Sequence, residues 1–314
     1  MLKASANSIL PILATRDFDE IRWIAETLKE LMTCDLAQVR PTELQVSAFK
    51  HPSWGRSDHF LRFVQHCTSL KILVLGYTAN LLVSEEVFSY LAGLRSISMI
   101  KIYRFLDEAF IHSVLRLMPS RPLFPAVRDM TFCVKAQAFA LLAPSMIAVR
   151  RLTLWVEDSN NEICGLVGQL PCLTQLILKF LTAKEFSRNE LASLAKLQNL
   201  HDLRLEVSED ISGSHLAVPW MKDFDFEEWI CSFPHLRILC LDWSSGDTLL
   251  TAGATASLAR RCPELISVVV LWHHNLNVWM ASSPLVKNLK IISFKSISIS
   301  QDNNNHDELL TNTE

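Results

Sequence analysis

Glycine is scarce, at eight residues in a chain of 314. No Gly-x-Gly-x-x-Gly, P-loop or Gly-x-Ser-x-Gly run occurs, so the backbone-lined loops that cradle phosphates or carry a nucleophile have no sequence counterpart. Positive charge is not in excess either. Lys and Arg number 30 against 33 Asp and Glu, a formal net of −3, which leaves no overall basic field for a nucleic-acid backbone. No apolar run reaches the roughly 18 residues that span a bilayer. The longest candidate, 136–149, is interrupted by Gln137, Pro144 and Ser145. The six-residue stretch Ile9 to Ala14 contains Pro11 and falls short of a secretory core of about 7–15 residues. No Asn-x-Ser/Thr acceptor is present. Nucleic acid, membrane and secretion are therefore not expected, and the chain is placed in the cytoplasm or nucleus.

Cysteine is present eight times, at 34, 67, 133, 164, 172, 231, 240 and 262, but never as Cys-x-x-Cys. Zinc spacing is missing. Reduced, buried thiols are expected, with no metal and no cofactor.

What is present is a recurring apolar phrase. Leu170-Pro-Cys-Leu173-Thr-Gln-Leu176-Ile-Leu178, Leu197-Gln-Asn-Leu200-His-Asp-Leu203-Arg-Leu205 and Phe233-Pro-His-Leu236-Arg-Ile-Leu239-Cys-Leu241 share the form apolar-x-x-Leu-x-x-Leu-x-Leu. The third anchor falls at Leu73, Ile97, Met130, Leu152, Leu176, Leu203, Leu239, Val268 and Leu289, with Leu44 and Val46 as an earlier, degenerate copy. Leu-x-Leu places two side chains on one face of a strand. One such unit cannot cover its own apolar face, so neighbours stack over a shared core. Most intervals lie within the roughly 20–29 residues of leucine-rich repeats.

Between these strands the spacing becomes helical. Val83–Leu94, Leu106–Met118, Phe139 with Leu142, Leu191 to Leu197, Phe226 to Ile230 and Ala254 to Leu258 read as helices. Ser187 with Glu190, and Asp225 with Glu228, have the spacing of capping boxes. Pro119, Pro122 and Pro125 read as a rigid exposed loop. Asp17 with Glu20 and the stripe Phe18, Ile21, Ile24, Ala25, Leu28, Leu31 and Met32 predict a capping helix over 15–33. The expected architecture is α/β: a leucine-rich-repeat solenoid, or horseshoe, of about ten irregular strand-helix units. Residues 1–38 form a helical cap, 39–297 the solenoid and 298–314 a polar, disordered tail.

The units Val64-Gln-His-Cys67-Thr-Ser-Leu70-Lys-Ile-Leu73-Val-Leu75 and Leu258-Ala-Arg-Arg-Cys262-Pro-Glu-Leu265-Ile-Ser-Val268 resemble the cysteine-containing class of leucine-rich repeats. Their irregular spacing is similar to that of fungal F-box/leucine-rich-repeat proteins over about 40–295. The resemblance implies a substrate-recognition subunit of an SCF-type ubiquitin ligase. A Skp1-type adaptor is implied only where an F-box exists, and of that module's opening only Leu10-Pro11 is found. The F-box is absent, drifted beyond recognition or lost by truncation.

Strand positions between the anchors face away from the core, on the concave side of a solenoid. They read Ile72, Val74; Ser96, Ser98; Asp129, Thr131; Arg151, Thr153, Trp155; Gln175, Ile177, Lys179; Asp202, Arg204, Glu206; Ile238, Cys240, Asp242; and Ser267, Val269, Leu271. The central rungs, from Arg151 to Asp242, combine an aromatic with both charge signs and form the candidate surface for a protein partner. An insertion over 208–224 adds His215 and Trp220. Edge-of-core packing is the alternative for Trp155, Trp243 and Trp272. Weaker groupings are His51, His59 and His66 beside Cys67, the pair His273-His274, and the acidic run Asp223, Asp225, Glu227 and Glu228. A non-catalytic interaction module is the principal expectation. An enzyme or accessory protein with a site on loops of the scaffold is the alternative.

Overall fold

The computed structural model describes residues 21–23, 42–46, 57–76, 82–119, 123–157, 162–208, 215–243, 249–270 and 291–293. Eleven parallel strands form one open sheet: β1 (Ile21–Trp23), β2 (Glu43–Val46), β3 (Ile72–Leu75), β4 (Met99–Leu106), β5 (Asp129–Val134), β6 (Arg151–Val156), β7 (Gln175–Phe180), β9 (Asp202–Val207), β11 (Ile238–Leu241), β12 (Ser267–Val270) and β13 (Ile291–Ser293). Their order in the sheet is their order in the chain. Two short strands, β8 (Lys184–Glu185) and β10 (Leu216–Ala217), pair separately.

Helices fill the crossovers that parallel pairing requires. They are α1 (Ser57–His66), α2 (Glu85–Gly93), α3 (Glu108–Leu117), α4 (Ala136–Leu142), α5 (Ile163–Val167), α6 (Arg188–Leu194), α7 (Asp223–Ile230) and α8 (Ala252–Arg261). Each from α1 to α6 adjoins the next, as α7 adjoins α8. Between α6 and α7, Trp229 Nε1 donates to the Leu191 carbonyl at 3.0 Å. The expected Ser187–Glu190 capping box is formed. The second is shifted by three residues: Asp225 accepts from the Lys222 backbone N–H at 3.0 Å, so it closes the first turn of α7 instead of preceding the helix. No helix among the described residues is long and apolar enough to cross a membrane.

The two anchors of each main-sheet strand from β3 to β12 are buried: Leu73 and Leu75, Ile100 and Ile102, Met130 and Phe132, Leu152 and Leu154, and so on to Val268 and Val270. Burying each stabilises the fold by about 1.5–3 kcal/mol. Aromatic clusters fill the wider parts of the core, Phe88 with Phe110, Phe124 and Phe132, and Phe226 with Trp229 and Trp243. Phe124 has φ of 54°, an uncommon value for a bulky residue. Its ring is buried and its N–H reaches the Ala92 carbonyl at 2.6 Å, which holds that conformation. The proline-rich loop is therefore not wholly exposed, because Leu123 and Phe124 turn into the core.

Three expectations are corrected. Ile21–Trp23 form a strand parallel to β2, with Ile21 in register with Leu44, where a helix over 15–33 was predicted. An open sheet edge leaves a row of backbone N–H and C=O groups that a strand pairs with and a helix cannot. The rest of 15–33 lies outside the described residues, as does the tail. In the fourth strand, Leu73 aligns with Ile100, not Ile97. Leu94-x-x-Ile97-x-x-Ile100-x-Ile102 fits the phrase in full, and Ile97 is its second anchor. The last unit is misphased by the same three residues, since Val268 aligns with Ile292 and not Leu289.

Candidate functional site

Register assembles the side of the sheet opposite the anchors into rows, in which Asp129, Thr131, Cys133 and Asp202 are buried and the residues of β6 and β7 are at least half-exposed. Asp129, Arg151, Gln175 and Asp202 align across β5, β6, β7 and β9. Thr131, Thr153, Ile177, Arg204 and Cys240 form the second row. Cys133, Trp155, Lys179 and Glu206 form the third. The nine residues predicted from Arg151 to Glu206 thus share one face. Asp242 comes just after the end of β11, and its N–H bonds to the Leu205 carbonyl at 2.9 Å.

Within the rows, neighbouring charges hold one another. Arg151 meets Asp129 at 2.9 Å. Arg204 grips Asp202 through Nε at 2.9 Å and its terminal nitrogen at 3.1 Å, and Gln175 Nε2 donates to the same carboxylate at 2.9 Å. That carboxylate holds the Arg204 pKa above its ordinary value. Lys179 lies 4.9 Å above the Trp155 ring and 3.4 Å from Glu206. Tyr103 meets Trp155 edge-on with centroids 6.4 Å apart. The result is a prearranged aromatic and polar patch on a rigid sheet, half-exposed at Thr153, Trp155, Ile177 and Lys179.

Tyr103 and Lys101 were missed because the fourth strand was misphased, which put Ser96 and Ser98 in their place. The signal was available in the Ile100-x-Ile102 pair. His215 and Trp220 do not join this face. The His215 carbonyl accepts the Lys184 N–H at 2.9 Å beside β10, in the separate two-stranded sheet. Trp220 donates to the Phe186 carbonyl at 2.6 Å, and Arg188 covers its ring at 4.8 Å. Trp243 is fully buried, whereas Trp272 lies outside the described residues.

The other groupings have structural occupations. His66 Nδ1 contacts the Arg62 carbonyl at 2.6 Å, and the Cys67 thiol donates to the Phe63 carbonyl. Burial pushes Cys67, Cys133, Cys164 and Cys262 up to about 12, so they stay protonated. Cys240 is also raised to about 12, by burial first and then by the Glu206 carboxylate. His51, His273 and His274 lie outside the described residues, and nothing is described of the His59 side chain. Among the described residues no group of three or more His, Cys, Asp or Glu could hold a metal ion.

The acidic run is distributed across unit boundaries. Asp223 accepts from the Thr251 N–H at 2.6 Å and from its hydroxyl. Asp225 pairs with Arg188 at 3.2 Å. Glu227 receives Arg260, Arg261 and Ser257. A cleft of about 470 Å³ gathers Asp107, Glu108, His112 and Lys135. Asp107 is committed to the α3 cap through the Phe110 N–H at 2.7 Å, and His112 pairs with Glu108 at 3.4 Å.

One element was not visible in the sequence. Lys184 and Glu190 form an ion pair at 2.7 Å with side chains only 1% and 3% exposed. Glu190 also accepts from the Ser187 N–H and hydroxyl, both at 2.8 Å. No protein-family model matches the chain, and no curated protein matches it.

Proposed function

We propose that this chain is a leucine-rich-repeat horseshoe acting as a non-catalytic protein-interaction module, with its partner held on the open face of the sheet. The horseshoe reading rests on spacing. Strands lie about 4.7–4.9 Å apart, whereas packed helices need about 8–10 Å, so a stack backed by helices bends with the sheet on its inner side. The interaction reading is carried by the third row, where Trp155, Lys179 and Glu206 stand prepositioned and half-exposed on adjacent strands. Tryptophan, as at Trp155, and arginine, as at Arg204 in the adjacent row, are the residue types that dominate interface energetics. The function class is that of a substrate-recognition subunit of an SCF-type ubiquitin ligase, or of a relative without an F-box, in the cytoplasm or nucleus.

Affinity purification with mass spectrometry tests the face. Partners retained by the wild type are expected to be lost from a Trp155→Ala, Arg204→Glu variant. A Thr153→Arg variant, which removes no side-chain hydrogen bond or ion pair found among the described residues and adds bulk to the centre, should lose the same partners. Identical partner lists for all three proteins would eliminate this face as the site. Copurification of a Skp1-type adaptor with the full chain separates the ligase subunit from the F-box-less relative.

A further inference from the structure

At the edge where the parallel strands begin, a second ladder runs across the units. Each main-sheet unit from β3 to β11 contributes one residue immediately before its strand: Lys71, Ser98, Arg128, Arg150, Thr174, His201 and Arg237, with Thr42 and Ile266 continuing the series at either end. The backbone fixes them in series. Ser98 N–H donates to the Lys71 carbonyl at 2.8 Å, Arg128 to Ser98 at 2.7 Å, and Arg150 to Arg128, Thr174 to Arg150, His201 to Thr174 and Arg237 to His201 at 2.8 Å each. Of the seven positions from Lys71 to Arg237, four are cationic, one is histidine, two carry hydroxyls and none is acidic. All seven but Thr174 are exposed.

Nearby carboxylates do not cancel this charge. Asp129 is paired with Arg151 and Asp202 with Arg204, both on the sheet face. Glu264 is paired with His235 at 3.2 Å. Glu43 and Glu264 stand in the units flanking the ladder, beyond Lys71 and Arg237. In its middle, Ile147 is 62% exposed, three residues before Arg150. Arg128 is fixed beside it by a 3.0 Å bond to the Ala148 carbonyl. A chain with a net charge of −3 thus concentrates cations along one edge, with an apolar contact at the centre.

We propose that this strand-start edge is a docking site for an extended acidic polypeptide segment carrying a central apolar side chain. Six strand spacings separate Lys71 from Arg237, about 29 Å in all. An extended segment covers that distance with about nine residues. The cations stand two, one and three strand spacings apart, so carboxylates near both ends of the segment meet Lys71 and Arg237, those flanking its centre meet Arg128 and Arg150, and the central apolar residue lies on Ile147. The site is distinct from the open sheet face and does not depend on it.

The probe is a labelled peptide of about nine residues, glutamates with one central leucine, titrated against the full chain by fluorescence anisotropy. Binding should weaken as salt is raised, because the groups are exposed. A Lys71→Glu, Arg150→Glu, Arg237→Glu variant should bind about tenfold more weakly or worse, at up to a few-fold for each exposed charge pair. These three side chains carry no ion pair among the described residues, so thermal unfolding should be unchanged. Arg116→Glu on α3, a single charge reversal of the same kind away from the edge, should bind like the wild type, as should Trp155→Ala. The proposal is overturned by undetectable peptide binding, by equal binding of the triple variant, or by loss in Trp155→Ala. It is overturned equally if single-stranded oligo(dT) of the same charge binds as tightly as the peptide, since the edge would then be a generic polyanion surface.

Discussion

Among the described residues, Lys184 and Glu190 are the most costly pair of side chains to leave incomplete. Both are buried, and each carries a desolvation cost of several kcal/mol that the other offsets. The glutamate has a second task, because its other oxygen takes the Ser187 N–H and hydroxyl at the start of α6. The capping spacing was legible as Ser187-x-x-Glu190, but the lysine was not. No repeat anchor or helical spacing marks Lys184, and the pairing of β8 with β10 draws it inside. Glu190→Ala should lower stability by about 3–5 kcal/mol in urea denaturation, since it strands a buried ammonium. A Lys184→Met, Glu190→Leu double variant should recover most of that loss. A single-variant loss below about 1 kcal/mol would show that the pair is solvated in solution.

At the scale of the element, α7 and α8 are joined through carboxylates that the sequence presents as one acidic run. Asp223 reaches across to Thr251 at the start of α8, and Glu227 to Arg260 and Arg261 at its end. Gly253 belongs to the same junction, because a Cβ there would collide with the Asp223 carboxylate. The hydrogen bond from Arg261, then that from Ser257 and the charges of both arginines, holds the Glu227 pKa below its ordinary value of 4.5. A depressed folded-state pKa contributes stability that is present above the unfolded value. It is lost as pH falls through the folded value. Glu227→Gln should therefore melt below the wild type at neutral pH, and the two melting curves should converge once the pH falls below the usual carboxylate range. High salt should narrow the neutral-pH difference, because the pair is exposed. A gap that persists unchanged in acid would assign the effect to packing. Periodicity reveals the two helices, whereas a bond between Asp223 and Thr251, 28 residues apart, has no local signature. The misphased fourth and last strands have a related cause. Ile97 and Leu289 are as apolar as the anchors three residues later, and only pairing with the previous strand selects Ile100 and Ile292.

Across the whole molecule, stacking in chain order makes each unit depend on its immediate neighbours, so stability sums unit and interface contributions along one axis. The axis is not uniform. From β5 through β6 and β7 to β9, strands pair along six residues, whereas β2 with β3 and β11 with β12 pair along four, and β1 with β2 along three. The same central strands carry Arg151 to Glu206, so the candidate interaction face lies on the most extensively paired part of the sheet. The recurrence of Leu-x-Leu makes the stack readable, because its period is set by the core. Strand length depends on the residue two positions beyond each anchor pair, such as Phe180 after Leu178 or Val156 after Leu154, and on closure against both neighbours. Hydrogen exchange read by mass spectrometry should show the slowest amides in β5 to β9, with protection declining toward β2 and β12. Leu176→Ala, which empties a buried site in the central run, should cost about 2–5 kcal/mol and accelerate exchange across the whole sheet. Leu44→Ala, equally buried in a short strand near one end of the sheet, should accelerate exchange in β2 and β3 while leaving β6, β7 and β9 protected. Equal acceleration everywhere by both variants would mean that the sheet unfolds as a single cooperative body. Unit-by-unit stacking would then describe its shape but not its energetics.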